Sequence, residues 1–494
     1  MGEFIFGPVI ACHPLVFLDS ITDSCHHGTT MRFPQFFKRT KPVPLTPEEP
    51  KHRTQKIETL KAGKLASLAL ALTERLIEQW GPRRAASEQA NNVAEALEKE
   101  YAAFCDHTEK TEVLLDTNAH SRVLKLLVVL YPLLVLFLLV GFPFLSLILF
   151  LLYGWYASKE LYFYRPLAWK RAPLSKGMNV HGVLEPKNKV ENTILFTAHH
   201  DSAQLYHFNK LDRLSYAGKV ILPLLLFLLT GILSIIQLVA ELAGRVLLLP
   251  NAPSLSNLII LLLLAGASPW VFQLRLFYEK EASPGAGDNL ASSAMTVQLA
   301  RYFRWKRDCN NPLEHTRLVF CSFDGEELGL RGSRQWYKTQ ADQFAGAIVL
   351  NFDAIYYADR LTFLEKDVNA TVPLSDSLAR RCVSIAQSMG YEAKSEAIPR
   401  LAGGTDAAEA SRAGFAACTL TSVAWDDQTK ASVYHTQDDL VSAIQPKAVE
   451  QAISIAIRLV ELVDNRRLWD EPKKETEHEE PESPKLEFTR LSHR

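Results

Sequence analysis

Four largely apolar runs, Thr193–Thr197, Arg317–Phe323, Ala347–Phe352 and Ala416–Leu420, recur along the chain. Runs of this kind predict strands buried on both faces. Stretches with helical spacing lie among them, at Ser292–Phe303, Ser375–Met389 and Pro446–Val463. Further back, Leu65, Leu68, Leu72, Leu76 and Trp80 fall on one helical face, and Gly81-Pro82 ends that helix. A second helix is expected over Ser87–Phe104, then an extended segment near Glu112–Leu115. The alternation predicts an α/β fold, with a mixed, mostly parallel central sheet flanked by helices.

Two stretches depart from this pattern. From Val123 to Ala157 the chain is almost free of charge apart from Lys125, and Gly141-Phe142-Pro143 sits in the middle. As one helix it would be about 50 Å long, against a hydrocarbon core of about 30 Å. Two legs meeting at the Gly-Phe-Pro turn fit better. A second apolar pair, Val220–Leu242 and Leu255–Leu274, is separated by a loop holding Arg245 and Pro250. Membrane insertion of both pairs is expected. The chain then divides into an N-terminal segment expected to be disordered (1–55), a first part of a soluble domain (56–122), a hydrophobic hairpin (123–157), a continuation of the domain (158–219), a second hairpin (220–274), the remainder (275–465) and a charged tail expected to be disordered (466–494).

Composition narrows the partners. The 494 residues carry 54 basic and 55 acidic side chains, so no bulk charge favours nucleic acid. The seven cysteines are scattered with no C-x-x-C pair, which indicates neither a disulfide scaffold nor a thiolate zinc site. The first thirty residues lack the basic start of a signal peptide, and the basic run Arg32, Lys38, Arg39, Lys41 leads into a Pro-rich link. Met31 is an alternative start.

Candidate chemistry gathers at strand ends, where open α/β sheets place their sites. The stretch Ser322–Ser333 reads S-F-D-G-E-E-L-G-L-R-G-S and sets Glu326 and Glu327 side by side after an apolar run. One carboxylate can hold a metal while its neighbour acts as a base. Ala198-His199-His200-Asp201 follows the first run, and Asn351-Phe352-Asp353 lies at the end of the third. Gly285-Ala286-Gly287-Asp288-Asn289 and Tyr434-His435-Thr436 lie in loops. Taken singly, Asp288-Asn289 could be a helix cap, Asp353 an exposed strand end and His435 an ordinary surface histidine.

Taken together, these residues resemble the co-catalytic dinuclear-zinc peptidases, family twenty-eight of the metallopeptidases, which includes aminopeptidases and glutamate carboxypeptidase. The matching residues are His199-x-Asp201, Gly287-Asp288-Asn289, Gly325-Glu326-Glu327-x-Gly329-Leu330-x-Gly332-Ser333, Asn351-x-Asp353 and Tyr434-His435-Thr436. Gly81-Pro82-Arg83 and the following helix also resemble the usual start of the domain. The resemblance spans about residues 60–465 outside the two apolar insertions. It implies a zinc-aminopeptidase-like fold holding two zinc ions. His199 and Asp353 would hold one ion, Glu327 and His435 the other, and Asp288 would bridge them. Glu326 would be the general base, Asp201 would hold the His199 ring, and Tyr434 would donate to the oxyanion. The family stretch matching Gly403-Gly404-Thr405-Asp406 usually continues with His, where this chain has Ala407. The implied activity is exopeptidase action on peptides, as an aminopeptidase.

If His199 and Asp288 bind one metal pair, the chain between them crosses the bilayer an even number of times. The expectation is four membrane-embedded segments, inserted as two hairpins into one domain. Arg122, Lys159, Arg165, Lys210, Arg213, Lys219, Arg275 and Lys280 flank the hairpins on the catalytic side, whereas the tips hold Arg245. That bias puts the catalytic domain in the cytoplasm. Two other classes stay open: a single-zinc enzyme like glutaminyl cyclase, which shares an F-D-G-E-E stretch, and a non-catalytic membrane receptor or assembly factor.

Overall fold

The computed structural model describes residues 61–167, 173–208, 213–244, 255–425 and 433–469. The expectations for residues 1–55, the hairpin tip with Arg245 and Pro250, Lys210, and the tail from residue 470 lie outside these residues. Eleven strands are described: β1 (His107–Leu115), β2 (Ser175–Leu184), β3 (Asn192–His199), β4 (Gln204–Tyr206), β5 (Tyr278–Ala282), β6 (Thr316–Phe323), β7 (Ile348–Phe352), β8 (Leu361–Asp367), β9 (Val372–Pro373), β10 (Ala393–Ala397) and β11 (Ala416–Thr421). Nine form one sheet in the order β1-β2-β6-β3-β7-β11-β8-β10, with β9 beside β8, while β4 and β5 pair separately. The central strands β6, β3, β7 and β11 are mutually parallel. β1 and β2 add antiparallel at one end.

All four expected runs are sheet strands. Their apolar side chains are buried on both faces because helices cover the sheet. Ala62–Trp80, Ala291–Asp308 and Pro446–Asp464 pack on one face, where Leu65, Leu72, Met295, Leu299, Ile453 and Leu459 join Phe196, Phe320 and Phe352 in the main core. A second core around Trp336, Tyr337 and Phe344 contains Leu195, Val319 and Val349 from the other face of the same strands. The helix Glu88–Ala102 starts where Ser87 caps it, its hydroxyl accepting from the Ala90 N–H. β2, with Lys176, Asn179 and His181 among its apolar residues, was not expected from the pattern; nor were β8 and the polar β10.

The first apolar stretch forms Ala119–Leu139 and Pro143–Ala157, joined at Val140-Gly141-Phe142. Gly141 adopts a φ of 77°, the left-handed region that lets the chain reverse there, and Pro143 starts the next helix. The second stretch forms Leu222–Ala243, then Leu255–Gly266 and Ser268–Phe272. Three helices, Ala119–Leu139, Pro143–Tyr162 and Ala217–Ala243, are long and apolar enough to cross a membrane. The pair Asn257–Gly266 and Ser268–Leu276, bent by 41°, makes a fourth if taken as one span.

The two insertions pack on each other. Ser146 and Ser234 share a hydrogen bond of 2.8 Å, and the Tyr131 hydroxyl donates to the Leu264 carbonyl at 2.8 Å. Phe150 stacks on Phe227 at 5.0 Å, beside Gly231, where an added Cβ would come within 2.5 Å of the Phe150 ring. Their outer surface stays apolar, with Val129, Leu151, Leu152, Ile235, Ile236, Val239 and Leu263 exposed.

Candidate metal centre

The register of the parallel strands brings the first candidates together. β3 lies between β6 and β7, and His199 at its end is level with Phe323 of β6. The C-terminal ends of three neighbouring strands therefore lead to His199, to the Glu326–Glu327 loop and to Asp353. The remaining two ligand candidates arrive from loops.

Asp288 sits in a turn, Ala286–Leu290, that opens the helix Ala291–Asp308. Two groups from distant parts of the chain, and one side chain of its own, hold this turn. The Asp439 carboxylate accepts from the Gly287 N–H at 2.8 Å and the Asp288 N–H at 3.2 Å. The Asn289 side chain donates to the Phe352 carbonyl and accepts from the Ala354 N–H, bracketing Asp353. Arg83, fully buried, donates from Nη2 to the Gly285 carbonyl at 2.9 Å and from Nη1 to the Pro284 carbonyl at 2.8 Å. Its Nε donates to the His200 carbonyl at 2.9 Å, so one guanidinium spans the His199 and Asp288 loops. Burial lowers its pKa to about 10, and the nearby Asp439, Asp201 and Asp288 carboxylates oppose that fall, leaving it charged at neutral pH. At Gly287 an added Cβ would lie 2.0 Å from the Tyr356 ring, so only glycine lets the turn pass.

The Glu326–Glu327 loop is anchored twice. Asp201 accepts from the Glu326 N–H and the Glu327 N–H, each at 3.2 Å. The Asp324 carboxylate accepts from the Ala86 N–H and the Met178 N–H, tying the loop to the start of the domain and to β2. Asp201 also faces the His199 ring, with Oδ1 3.3 Å and its carbonyl 3.1 Å from Nδ1. His200 turns elsewhere: its Nδ1 lies 2.8 Å from the Ser322 hydroxyl, and burial pushes its pKa down to about 3.

Side chains from all five expected ligand positions meet. His199, Asp288 and Asp353 form one group whose ligand atoms lie within 4.8 Å of one another. Asp288, Glu327 and His435 form a second by the same measure, and a third combines His199, Glu326 and Glu327. His199 Nε2 is 3.3 Å from Asp288 Oδ1, and His435 Nε2 is 2.9 Å from Asp288 Oδ2 and 3.6 Å from Glu327 Oε1. Glu326 Oε2 is 3.7 Å from His199 Nε2. The Tyr434 ring lies flat on the His435 imidazole, with centroids 3.9 Å apart. Ala407, in place of the expected histidine, is a buried methyl at the start of the helix Ala407–Arg412.

The electrostatics of this cluster call for cations. Burial pushes the Glu326 carboxyl well above its ordinary range; His199 opposes this, and Glu327 and Asp353 add to it. Glu327 and Asp353 are raised in the same way, burial first and neighbouring carboxylates next. For Asp288, burial is outweighed by His199 and His435, and its pKa falls. His199 is pushed well above the ordinary imidazole range: burial opposes the shift, and the Glu326, Asp201 and Asp288 carboxylates override it. His199 Nε2 and Glu327 Oε1 are buried without a hydrogen-bond partner, and Asp288 Oδ2 has only the His435 ring 2.9 Å away. Buried polar atoms are rarely left so, and all three point into one cluster of nitrogen and oxygen donors. The residues present therefore fit divalent metal, and their N/O composition with no thiolate suits zinc in a hydrolytic site.

Arg83 and Asp439 are supports that no candidate role marks in the sequence, and Asn289, a helix-cap candidate there, instead holds the backbone on either side of Asp353. Arg83 stood in a quoted motif, but its partners are backbone groups of two distant loops. Asp439 follows His435 by one helical turn's worth of chain, and that spacing was its only signal.

Part of the chain is similar to a known family. Residues 275–460 match the profile described as Peptidase family M28, a span that takes in Asp288, Glu326, Glu327, Asp353 and His435 and begins after His199. This match supports a zinc metallopeptidase hydrolase. No curated protein matches the chain. Among solved structures, the chain is similar to a Zn-dependent exopeptidase from Parabacteroides distasonis, with 13% identity, 80% of this chain and 97% of that chain covered and a TM-score of 0.46. It is similar to a glutaminyl cyclase from an Acidobacteriales bacterium, with 12% identity, 84% and 100% covered and a TM-score of 0.46. It is also similar to BSAP, a zinc aminopeptidase from Bacillus subtilis, with 12% identity, 81% and 94% covered and a TM-score of 0.46.

Proposed function

We propose that this chain, with its match to Peptidase family M28, is a membrane-embedded, zinc-dependent exopeptidase acting as an aminopeptidase on peptides. The observation that carries the reading is that two three-residue donor groups share one carboxylate, Asp288. In this reading His199 and Asp353 would hold one zinc, Glu327 and His435 the other, and Asp288 would serve both. Zinc held there supplies a water of lowered pKa and polarises the scissile carbonyl.

The protein's own groups do the rest. Glu326, beside His199 and outside the bridging pair, accepts a proton from the attacking water and passes it to the leaving amine. Its carboxylate, 3.7 Å from His199 Nε2 and beside Glu327, is placed to carry a proton between steps. Asp201 fixes the His199 ring and, through the Glu326 and Glu327 N–H groups, the height of the carboxylates. Tyr434, stacked on His435, donates to the developing oxyanion.

The apolar helices are embedded as two hairpins, four segments in all, with the sheet on one side of the bilayer. The exposed Val, Leu and Ile surface of the packed hairpins supports this, since soluble surfaces rarely carry so large an apolar patch. The basic flanks Arg122, Lys159, Arg165 and Arg275 favour a cytoplasmic catalytic side. Ready labelling of a cysteine placed beside Lys280, on intact cells, would refute that side.

The test of the activity is hydrolysis of a peptide library by wild type and Glu326→Gln, with metal analysis of both. The variant is expected to keep its zinc and lose roughly 10²–10⁴-fold in rate. Two zincs per chain support the peptidase, one a cyclase-like enzyme, and none a binding protein.

A further inference from the structure

The two ends of the first apolar hairpin reach the metal centre. His120 opens the helix Ala119–Leu139, and Tyr164 follows the turn Ser158–Tyr162 that closes the hairpin. Their rings lie 6.5 Å apart. Both stand over the loop that carries Glu327: a Cβ added at Gly329 would lie 3.5 Å from His120 Nε2 and 3.6 Å from Tyr164 Cγ. The Tyr164 hydroxyl lies 3.3 Å from the same point at Gly403.

This placement is built. Tyr164 has a φ of 45°, a conformation that residues with side chains seldom adopt. Its carbonyl accepts from Arg334 and from Arg412 Nη1, and the carbonyls before it accept from Arg412 Nη2 and Asn369. Arg331 pairs with the buried Glu160 in the same turn. Yet one polar atom so positioned is unused: His120 Nε2 is shut off from solvent with no hydrogen-bond partner, while the Tyr164 hydroxyl lies over Gly403. Idle donors and acceptors beside candidate metal ligands are what a substrate would satisfy.

The cleft that His120 borders, with Tyr164 behind it over Gly329, runs past Glu327 to Gln204, Tyr206 and Tyr278, on the strands that flank the second hairpin. Its charged side chains are Glu327 and Arg84, and Arg84 is bonded to the Lys280 carbonyl at 3.3 Å. Apart from the candidate metal ligand, no carboxylate among the described residues lines it to receive a cationic side chain.

We propose that His120 and Tyr164, brought in by the ends of the membrane hairpin, form a substrate subsite beside Glu327 that takes an uncharged terminal residue of a short peptide. The proposal rests on the exopeptidase reading for its substrate, and its test uses binding as well as turnover. Zinc-loaded, full-length Glu326→Gln protein in detergent is titrated calorimetrically with the dipeptides Thr-Ala, Lys-Ala and Glu-Ala. Thr-Ala is expected to bind about tenfold more tightly than the other two. Adding His120→Ala or Tyr164→Phe should weaken Thr-Ala about three- to tenfold, the range of one lost hydrogen bond, with zinc content unchanged. Equal binding of the three dipeptides overturns the proposal, as does a preference for Glu-Ala directed by Arg84. Variants that bind Thr-Ala as before, or that lose zinc, overturn it too. Failure of the exopeptidase reading looks different: wild type then hydrolyses none of the three while the Glu326→Gln protein still ranks them.

Discussion

Arg83 Nε donates to the carbonyl of His200 at 2.9 Å while the same guanidinium holds the carbonyls of Pro284 and Gly285. The planar fork of arginine can serve several acceptors at fixed angles, which the ammonium of lysine cannot. Arg83→Ala should therefore leave the His200 and Pro284 carbonyls unpaired, since the Gly285 carbonyl still accepts from the Leu290 N–H, at about 1–3 kcal/mol each before relaxation. Arg83→Lys should recover little of the loss. Denaturant melts of the zinc-loaded proteins check this, and equal midpoints for Arg83→Lys and wild type would count against the clamp.

Asp439 acts on Asp288 from the other side. Its carboxylate accepts from the Gly287 and Asp288 N–H groups and its carbonyl from Ala286. Removing such a support to a metal ligand commonly costs 10–100-fold in metal affinity. Asp439→Ala is expected to lose zinc to a chelator at correspondingly lower concentration. A chelator titration identical to wild type would show that the turn holds itself.

The acidic cluster makes stability depend on metal and on pH together. Zinc at about 100 times its dissociation constant would add about 2.7 kcal/mol, so chelation should lower the melting temperature. Its ligands bind as neutral imidazole and carboxylate, so acidification should release zinc by protonating them. The melting temperatures with and without chelator should converge as pH falls. A gap that widens toward acid would contradict the ligand assignment.

Asp367 gives a pH prediction away from the metal ligands. It is buried at the end of β8 and bonded to Val368 N, Thr405 N and the Thr405 hydroxyl. Burial raises its pKa to about 6, against the opposing pull of the Thr405 hydrogen bond. The folded value lies above the unfolded one, so its contribution is fully present below about pH 4 and is lost as pH rises through about 6. Asp367→Asn keeps the acceptor oxygen and cannot ionise. It should gain on wild type by on the order of 2 kcal/mol between pH 4 and pH 8. Parallel stability curves would refute the shift.

Between the hairpins, Gly231 leaves room for the Phe150 ring. Gly231→Leu should push the two insertions apart and cost about 1–3 kcal/mol, read as an earlier thermal transition in detergent. No change would mean that the helices repack freely.

Much of the fold was legible in the order of residues, for a physical reason. Thr193–Thr197 and Ala416–Leu420 are buried on both faces, so their apolar runs are unbroken. β10, by contrast, is an edge strand reading Ala-Lys-Ser-Glu-Ala, with little apolar character to announce it. β2 mixes Asn179 and His181 into its buried positions because each has a partner, Gly332 and Trp336, more than a hundred residues away. The site divides in the same way. Candidate ligands are recognisable by residue type, and their local motifs name them. The clamps formed by Arg83, Asp439 and Asn289 act on backbone groups, which every residue carries, so even the motifs that contain Arg83 and Asn289 do not say what they hold. His120 and Tyr164 were hidden for another reason: they sit at the borders of apolar stretches that read as anchors.

Both apolar hairpins begin and end within one folded body, with β1 and β2 bracketing the first and β4 and β5 the second. A single proteolytic cut in either hairpin would thus leave both fragments interleaved in the sheet and its packed helices, tethered through the intact hairpin. With the hairpins embedded as proposed, one scission in either of them would not shed an active fragment, unlike a cut in a terminal stalk.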